Sequence, residues 1–200
     1  MAEAPASAAP TAHETPARTR RRWVLFGGVA TTVVVLDQLT KAWVDSSFEL
    51  ASRSIPAGQP GGPTELIGEY VRIAKTYNDG AIFGFLDASA MLMAVLSVIV
   101  IIGVVWYEWR HGTELGPLVT IGLGLLTGGA VGNLIDRIRF GHVVDFVDMG
   151  IGDARWYTWN ISDAAVFIGI LLLLGAALLG DRAPGVPPTP RPARKPEGSA

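Results

Sequence analysis

Four apolar stretches of roughly twenty residues each, about Trp23 to Trp43, Ala88 to Tyr107, Leu115 to Ile135 and Ile161 to Leu179, constrain what this chain can become. A helix needs about 20 residues to cross about 30 Å of hydrocarbon, so the stretches predict four transmembrane helices. Trp23, Trp43, Trp106, Tyr107 and Trp159 fall at their ends, where amphipathic rings settle at headgroup level. Apolar residues make up 50% of the chain and charged residues only 17%, which excludes a large soluble core.

The expected architecture is an all-α membrane protein, a four-transmembrane-helix bundle with a small extracytoplasmic β-sheet. Residues 1–22 and 181–200 are rich in Ala, Pro and Thr or in Pro and basic residues. Both read as disordered cytoplasmic tails around a single domain over residues 23–180. The Arg18, Arg20, Arg21 and Arg22 cluster, with Arg182, Arg191, Arg194 and Lys195, places both termini in the cytoplasm by the positive-inside rule. Arg137, Arg139 and Arg155 in the last loop count against it, so the amino-terminal arm carries the orientation. The first span has no A-x-A-like cleavage site and continues through Asp37-Gln38-Leu39-Thr40-Lys41, as an uncleaved anchor would.

The loop at about residues 45–87 is too long for a plain connector. Alternation at Val71, Arg72 and Ile73 before Asn78-Asp79-Gly80 predicts a hairpin there, with Ala81 to Phe85 as the returning strand. Gly124, Gly128 and Gly132 recur every four residues in the third span, a row that lets another helix backbone approach closely.

A net charge of −2 with scattered basic residues gives no reason to expect nucleic acid as a partner. There is no cysteine, so thiolate metal sites and cysteine nucleophiles are excluded. His13, His111 and His142 are dispersed, and no H-E-x-x-H, G-x-S-x-G, Walker or dinucleotide pattern occurs. No metal and no cofactor are expected.

Carboxylates at a bilayer boundary are costly, so those that occur there call for a role. Asp145 and Asp163 flank the expected outer mouth of the bundle, and two acids in low dielectric that share one proton can activate water for peptide hydrolysis. Asn160 followed by Asp163 has the spacing of a helix N-cap with an acid at N3, a purely structural alternative. Asn133 and Asp136 repeat Asn-x-x-Asp at the opposite kind of helix end, where the dipole repels a carboxylate. Asp136 is therefore assigned to scaffold with the adjacent Arg137, leaving Asp145 as the freer acid. Asp37 and Lys41, four residues apart, can pair with each other or hold substrate or the catalytic loop.

Five segments in order, Asp37-Gln38-Leu39-Thr40-Lys41, Asn78 to Gly84, Gly128 to Arg137, Gly141-His142-Val143-Val144-Asp145-Phe146 and Asn160-Ile161-Ser162-Asp163, make the chain resemble the bacterial lipoprotein signal peptidases, the type II signal peptidases. The resemblance spans Trp23 to Leu179. It implies a membrane aspartyl endopeptidase that cleaves before the diacylglyceryl-modified cysteine of prolipoproteins, in the cytoplasmic membrane with its site near the outer surface. By the same resemblance Asp145 and Asp163 are the catalytic pair, and Asn133, Arg137 and Asn160 support it. Asp37, Lys41, Asn78 and Gly80 match positions around the substrate groove. Trp159, Ser162 and Ile82 depart from the usual Phe, Ala and Ala and bear on substrate preference. Lipid-modified prolipoproteins and membrane lipid are the implied partners, and the single domain suggests a monomer.

Two rival readings make different predictions. A serine-lysine peptidase would use Ser46 or Ser47 with Lys41. A transporter would run ions past Asp37, Lys41, Asp136 and Asp145, although these charges gather at one surface and leave the inner half bare.

Overall fold

The computed structural model describes residues 16–80 and 89–180. Four helices, α1 (Pro16–Ser47), α2 (Ser89–His111), α3 (Pro117–Phe140) and α4 (Ile161–Leu179), coincide with the four apolar stretches. All four are long and apolar enough to cross a membrane. The first begins before Trp23, so Arg18 to Arg22 lie on the helix rather than in a tail. The expected returning strand at Ala81 to Phe85 falls outside the described residues.

Half of α3's apolar window is buried, whereas none of α2's is, which makes α3 the central helix. Glycine explains how α3 achieves this. A side chain at Gly124 or Gly128 would strike the backbone of α1 at Phe26 and Ala30, and one at Gly132 would strike Asp37 and Ser162. The anticipated glycine row thus faces α1. A second row, Gly122 and Gly129, meets α4 at Gly169 and Ser162, so α3 is flanked closely on two sides.

An antiparallel sheet caps one end, with strands β1 (Thr64–Ile67), β2 (Val71–Asn78), β3 (Val143–Ile151) and β4 (Ala154–Arg155) in that order. The chain is therefore not all-α, and half of the sheet comes from the last connection rather than from the 45–87 loop. Between Ile73 and Thr76 the register slips by one residue. This bulge lets β2 bury Ile73, Ala74 and Lys75 in succession, where strict alternation would expose the middle one. Val44, Ile73 and Phe146 form the core beneath the sheet, with Phe48, Val147 and Ile161 against it.

Polar ties fix the sheet to the bundle. Lys75 pairs with Asp45 at 2.8 Å and donates to the carbonyls of Asp45 and Phe48, closing the carboxy-terminal end of α1. Asp148, fully buried, receives Arg72 at 2.7 Å and Arg155 at 3.0 Å, with Arg53 at 3.6 Å. Burial would raise this carboxyl, but the two close guanidiniums outweigh it and hold its pKa below the usual range.

Candidate active site

The sheet end of the bundle brings Asp145 and Asp163 together through one residue, Asn160. Strand β3 carries Asp145, then the chain returns to pair Val147 with Trp159 and sets Asn160 beside it. The Asn160 amide donates to Asp145 Oδ1 at 2.6 Å, and its backbone N–H donates to Asp163 Oδ2 at 3.2 Å. Its own side-chain oxygen accepts from the Asp163 N–H at 3.0 Å, which completes a capping box at the start of α4. The cap foreseen in the sequence and the link between the acids are therefore one arrangement.

Each carboxylate has a second amide donor. Asn78 Nδ2 reaches Asp145 Oδ2 at 2.9 Å, diagonally across strands, because Thr76 is the residue opposite Asp145. Gly80, with φ of 72°, donates its N–H to Asn78 Oδ1 at 2.9 Å and so fixes which way that amide faces. Asn133 Nδ2 reaches Asp163 Oδ1 at 2.8 Å, while its oxygen accepts from Lys41 at 2.9 Å and from Asn160 at 3.2 Å. Asp145 is buried and Asp163 is half-buried. Burial, and next the negative charge of Asp163, push the Asp145 carboxyl up to about 6, against the pull of the Asn78 and Asn160 amides and of Lys41.

Beneath this pair lies a charged layer. Lys41 Nζ sits 2.8 Å from Asp37 and 2.8 Å from Asp136 and donates to Asn133, so all three of its N–H donors have an acceptor. Asp136 thus finds its partner in Lys41, and not in Arg137 as the sequence suggested. Adjacent helical residues point about 100° apart, whereas packing of α1 on α3 brings Lys41 over Asp136. Arg137 instead donates to the Asn133 carbonyl at 3.4 Å. Asp37 and Lys41 are both buried, and Asp37 accepts the Ser162 N–H at 2.9 Å, anchoring the first turn of α4. Through Asn133 and Ser162, Lys41 and Asp37 are tied to the residues that hold Asp163.

Sequence reasoning missed Gln38. Its amide donates to Asp136 at 2.9 Å, to Asp37 at 3.2 Å and to the Gly132 carbonyl at 3.3 Å. Its place between Asp37 and Lys41 in the quoted segment was the available signal. The Arg72, Arg155 and Asp148 cluster was also missed, since seeing it requires the strand register that sets Arg72 opposite Asp148. Of the proposed serines, Ser46 donates to the Trp43 carbonyl at 3.0 Å. The far end of the bundle is not bare of charge either, because Arg22 Nε lies 3.2 Å from the buried Glu108.

A family model described as signal peptidase (SPase) II matches residues 29–179. The lipoprotein signal peptidase of Syntrophomonas wolfei is 38% identical over 155 residues, which is 77% of this chain and 93% of the relative. That of Caulobacter vibrioides is 35% identical, covering 82% of this chain and 91% of its own. A solved structure described as a bacterial membrane enzyme superposes with a TM-score of 0.65 at 28% identity, over 75% of this chain and 90% of the other.

Proposed function

The chain belongs to the signal peptidase II family, and from that premise we propose that it removes the signal peptide from lipid-modified prolipoproteins with Asp145 and Asp163 as its catalytic pair. The observation carrying this reading is the single residue, Asn160, hydrogen-bonded to both carboxyl groups. Two acids so linked, one buried and one half-buried, suit a shared proton.

The buried Asp145, with its carboxyl pushed up to about 6, is the member of the pair that carries the proton below that pH. Asp163 lies in the first turn of α4, where the helix dipole favours an anion. Asp163 accepts a proton from water as the water oxygen attacks the scissile carbonyl carbon, and Asp145 donates to the carbonyl oxygen. The tetrahedral gem-diol intermediate then breaks its C–N bond, with the proton held by Asp163 passing to the leaving nitrogen and one hydroxyl proton returning to Asp145 as the carbonyl re-forms. Asn78 and Asn133 orient the two carboxyls, and Lys41, Asp37, Asp136 and Gln38 hold Asn133 and α4 in register. The rival serine-lysine chemistry lacks support, since Lys41 is committed to two carboxylates and Asn133.

The cleaved bond lies before the lipid-bearing cysteine. Apolar helix faces such as the exposed Val95, Ile99 and Ile102 of α2 offer acyl chains a lateral path, each buried CH₂ contributing about 0.8 kcal/mol. Both termini then lie in the cytoplasm and the sheet end outside, supported by the Arg18 to Arg22 run at the opposite end from the aspartates. Cleavage of a lipidated prolipoprotein peptide tests the assignment. Asp145→Asn and Asp163→Asn should each abolish turnover, whereas Asp136→Asn should keep a measurable part of it. Retained turnover in either of the first two would remove that residue from the pair.

A further inference from the structure

At the end of the bundle away from the aspartates, a cavity of about 460 Å³ opens where the start of α1 meets the α2–α3 turn and the start of α3. Arg18, Arg21, Arg22, Leu25, Leu115 and Pro117 line it. Its volume falls within the range of small-molecule sites. Arg22 is the informative side chain. It is nine-tenths buried, and Glu108 engages its Nε at 3.2 Å. Its Nη1 is buried with no hydrogen-bond acceptor among the described residues. Glu108 supplies a charge partner but no hydrogen bond, since both of its carboxylate oxygens are likewise unmet, so Arg22 Nη1 is left as a donor for an acceptor held in the cavity.

The surroundings identify the acceptor as an anion. Arg18 and Arg21 share the cavity wall, and Arg18 uses one donor on the Thr113 carbonyl at 3.3 Å. Helix α3 begins at this wall with Pro117 and has no side-chain cap, so its first N–H groups and the positive end of its dipole are available. Arg20 and Arg110 add charge at the same end, against the acids Glu108 and Glu114. Guanidinium forks match phosphate oxygens in pairs.

The surroundings also favour a lipid over a free ion. Leu25 and Leu115 form part of the wall, and Val24, Trp106 and Trp109 are exposed large apolar side chains at the same end of the bundle. We propose that this cavity binds the phosphodiester of an anionic membrane lipid, with its phosphate among Arg18, Arg21, Arg22 and the start of α3 and its acyl chains along α1 and α2. The site is separate from the peptidase chemistry and requires only that the chain spans a bilayer.

Native mass spectrometry of the full chain in detergent, titrated with dioleoyl phosphatidylglycerol or dioleoyl phosphatidylcholine, tests it. The anionic lipid should bind in a saturable one-to-one adduct at least about tenfold more tightly. Arg18→Gln with Arg21→Gln should weaken it roughly ten- to thirtyfold, while Arg20→Gln with Arg110→Gln, equal in charge but off the wall, should change it little. Arg21→Gln alone alters one exposed side chain and serves if the double variant folds poorly; it should weaken binding roughly fivefold. Equal binding of the two lipids, or equal losses in the two double variants, would overturn the site. Displacement by inorganic phosphate at matched concentration would assign it to a free ion and overturn the lipid.

Discussion

Asn78 is the residue whose replacement most directly tests where the proton sits. Its amide is one of the groups that hold the Asp145 pKa down against burial and the Asp163 charge. If Asp145 carries the shared proton, the profile of kcat/KM should fall as pH rises through about 6. Asn78→Ala should move that alkaline limb upward by roughly half a unit to one unit, at reduced turnover. An unmoved limb in an active variant would take the proton away from Asp145. The raised pKa has the matching consequence for folding. Asp145 favours the fold at low pH, where it is neutral, and that contribution is lost as pH rises through about 6.

Helix α3 and the sheet are the elements that set the geometry, and they fail in different ways. A methyl at Gly129 would collide with the Ser162 carbonyl, which is fixed backbone in the first turn of α4. Gly129→Ala should therefore cost about 1 to 3 kcal/mol and lower turnover by displacing Asp163. Gly27→Ala, where nothing lies within 4 Å, should leave thermal stability and turnover nearly unchanged. Equal behaviour of the two variants would mean that close α3–α4 contact is not what places Asp163. In the sheet, Asp148 is held below the usual carboxylate range by Arg155 and Arg72. Its lowered pKa means that it stabilises the fold above the unfolded value and loses that contribution as pH falls through the folded one. Asp148→Asn should cost about 3 kcal/mol at neutral pH and flatten the acid limb of a stability profile. An acid limb as steep as that of the parent would locate the acid sensitivity elsewhere.

Across the whole molecule, buried charge is divided between two ends. Asp37, Lys41, Asp136, Asp145 and Asp148 lie at the sheet end, and Arg22 with Glu108 lies at the other. The apolar faces between them, such as Leu96, Ile102 and Leu171, are exposed, as lipid-facing surfaces would be. The absence of cysteine makes the orientation directly measurable. In intact spheroplasts, a single cysteine at Gln59, in the sheet connection, should react with a membrane-impermeant maleimide, and one at Arg110 should react only after lysis. The reverse pattern would place the aspartates on the cytoplasmic side.

Helix positions, the glycine row of α3 as a close-packing face and the cap at Asn160 were legible in the sequence, because each follows from local rules of length, spacing and residue type. So was Asp145 with Asp163 as the pair of interest, through the resemblance. Local rules could not give the partner of Asp136, because adjacency to Arg137 says nothing about which side chain of α1 packs over it. They also could not give β3 as the strand beside β2, or the diagonal reach of Asn78 to Asp145, since register across a sheet depends on a bulge that exists only when the strands pair. Composition and periodicity determined a four-helix membrane chain with acids at one end. Only tertiary packing decided that those acids meet through Asn160, because hydrogen bonds a few ångströms long between distant residues are fixed by how helices and strands dock.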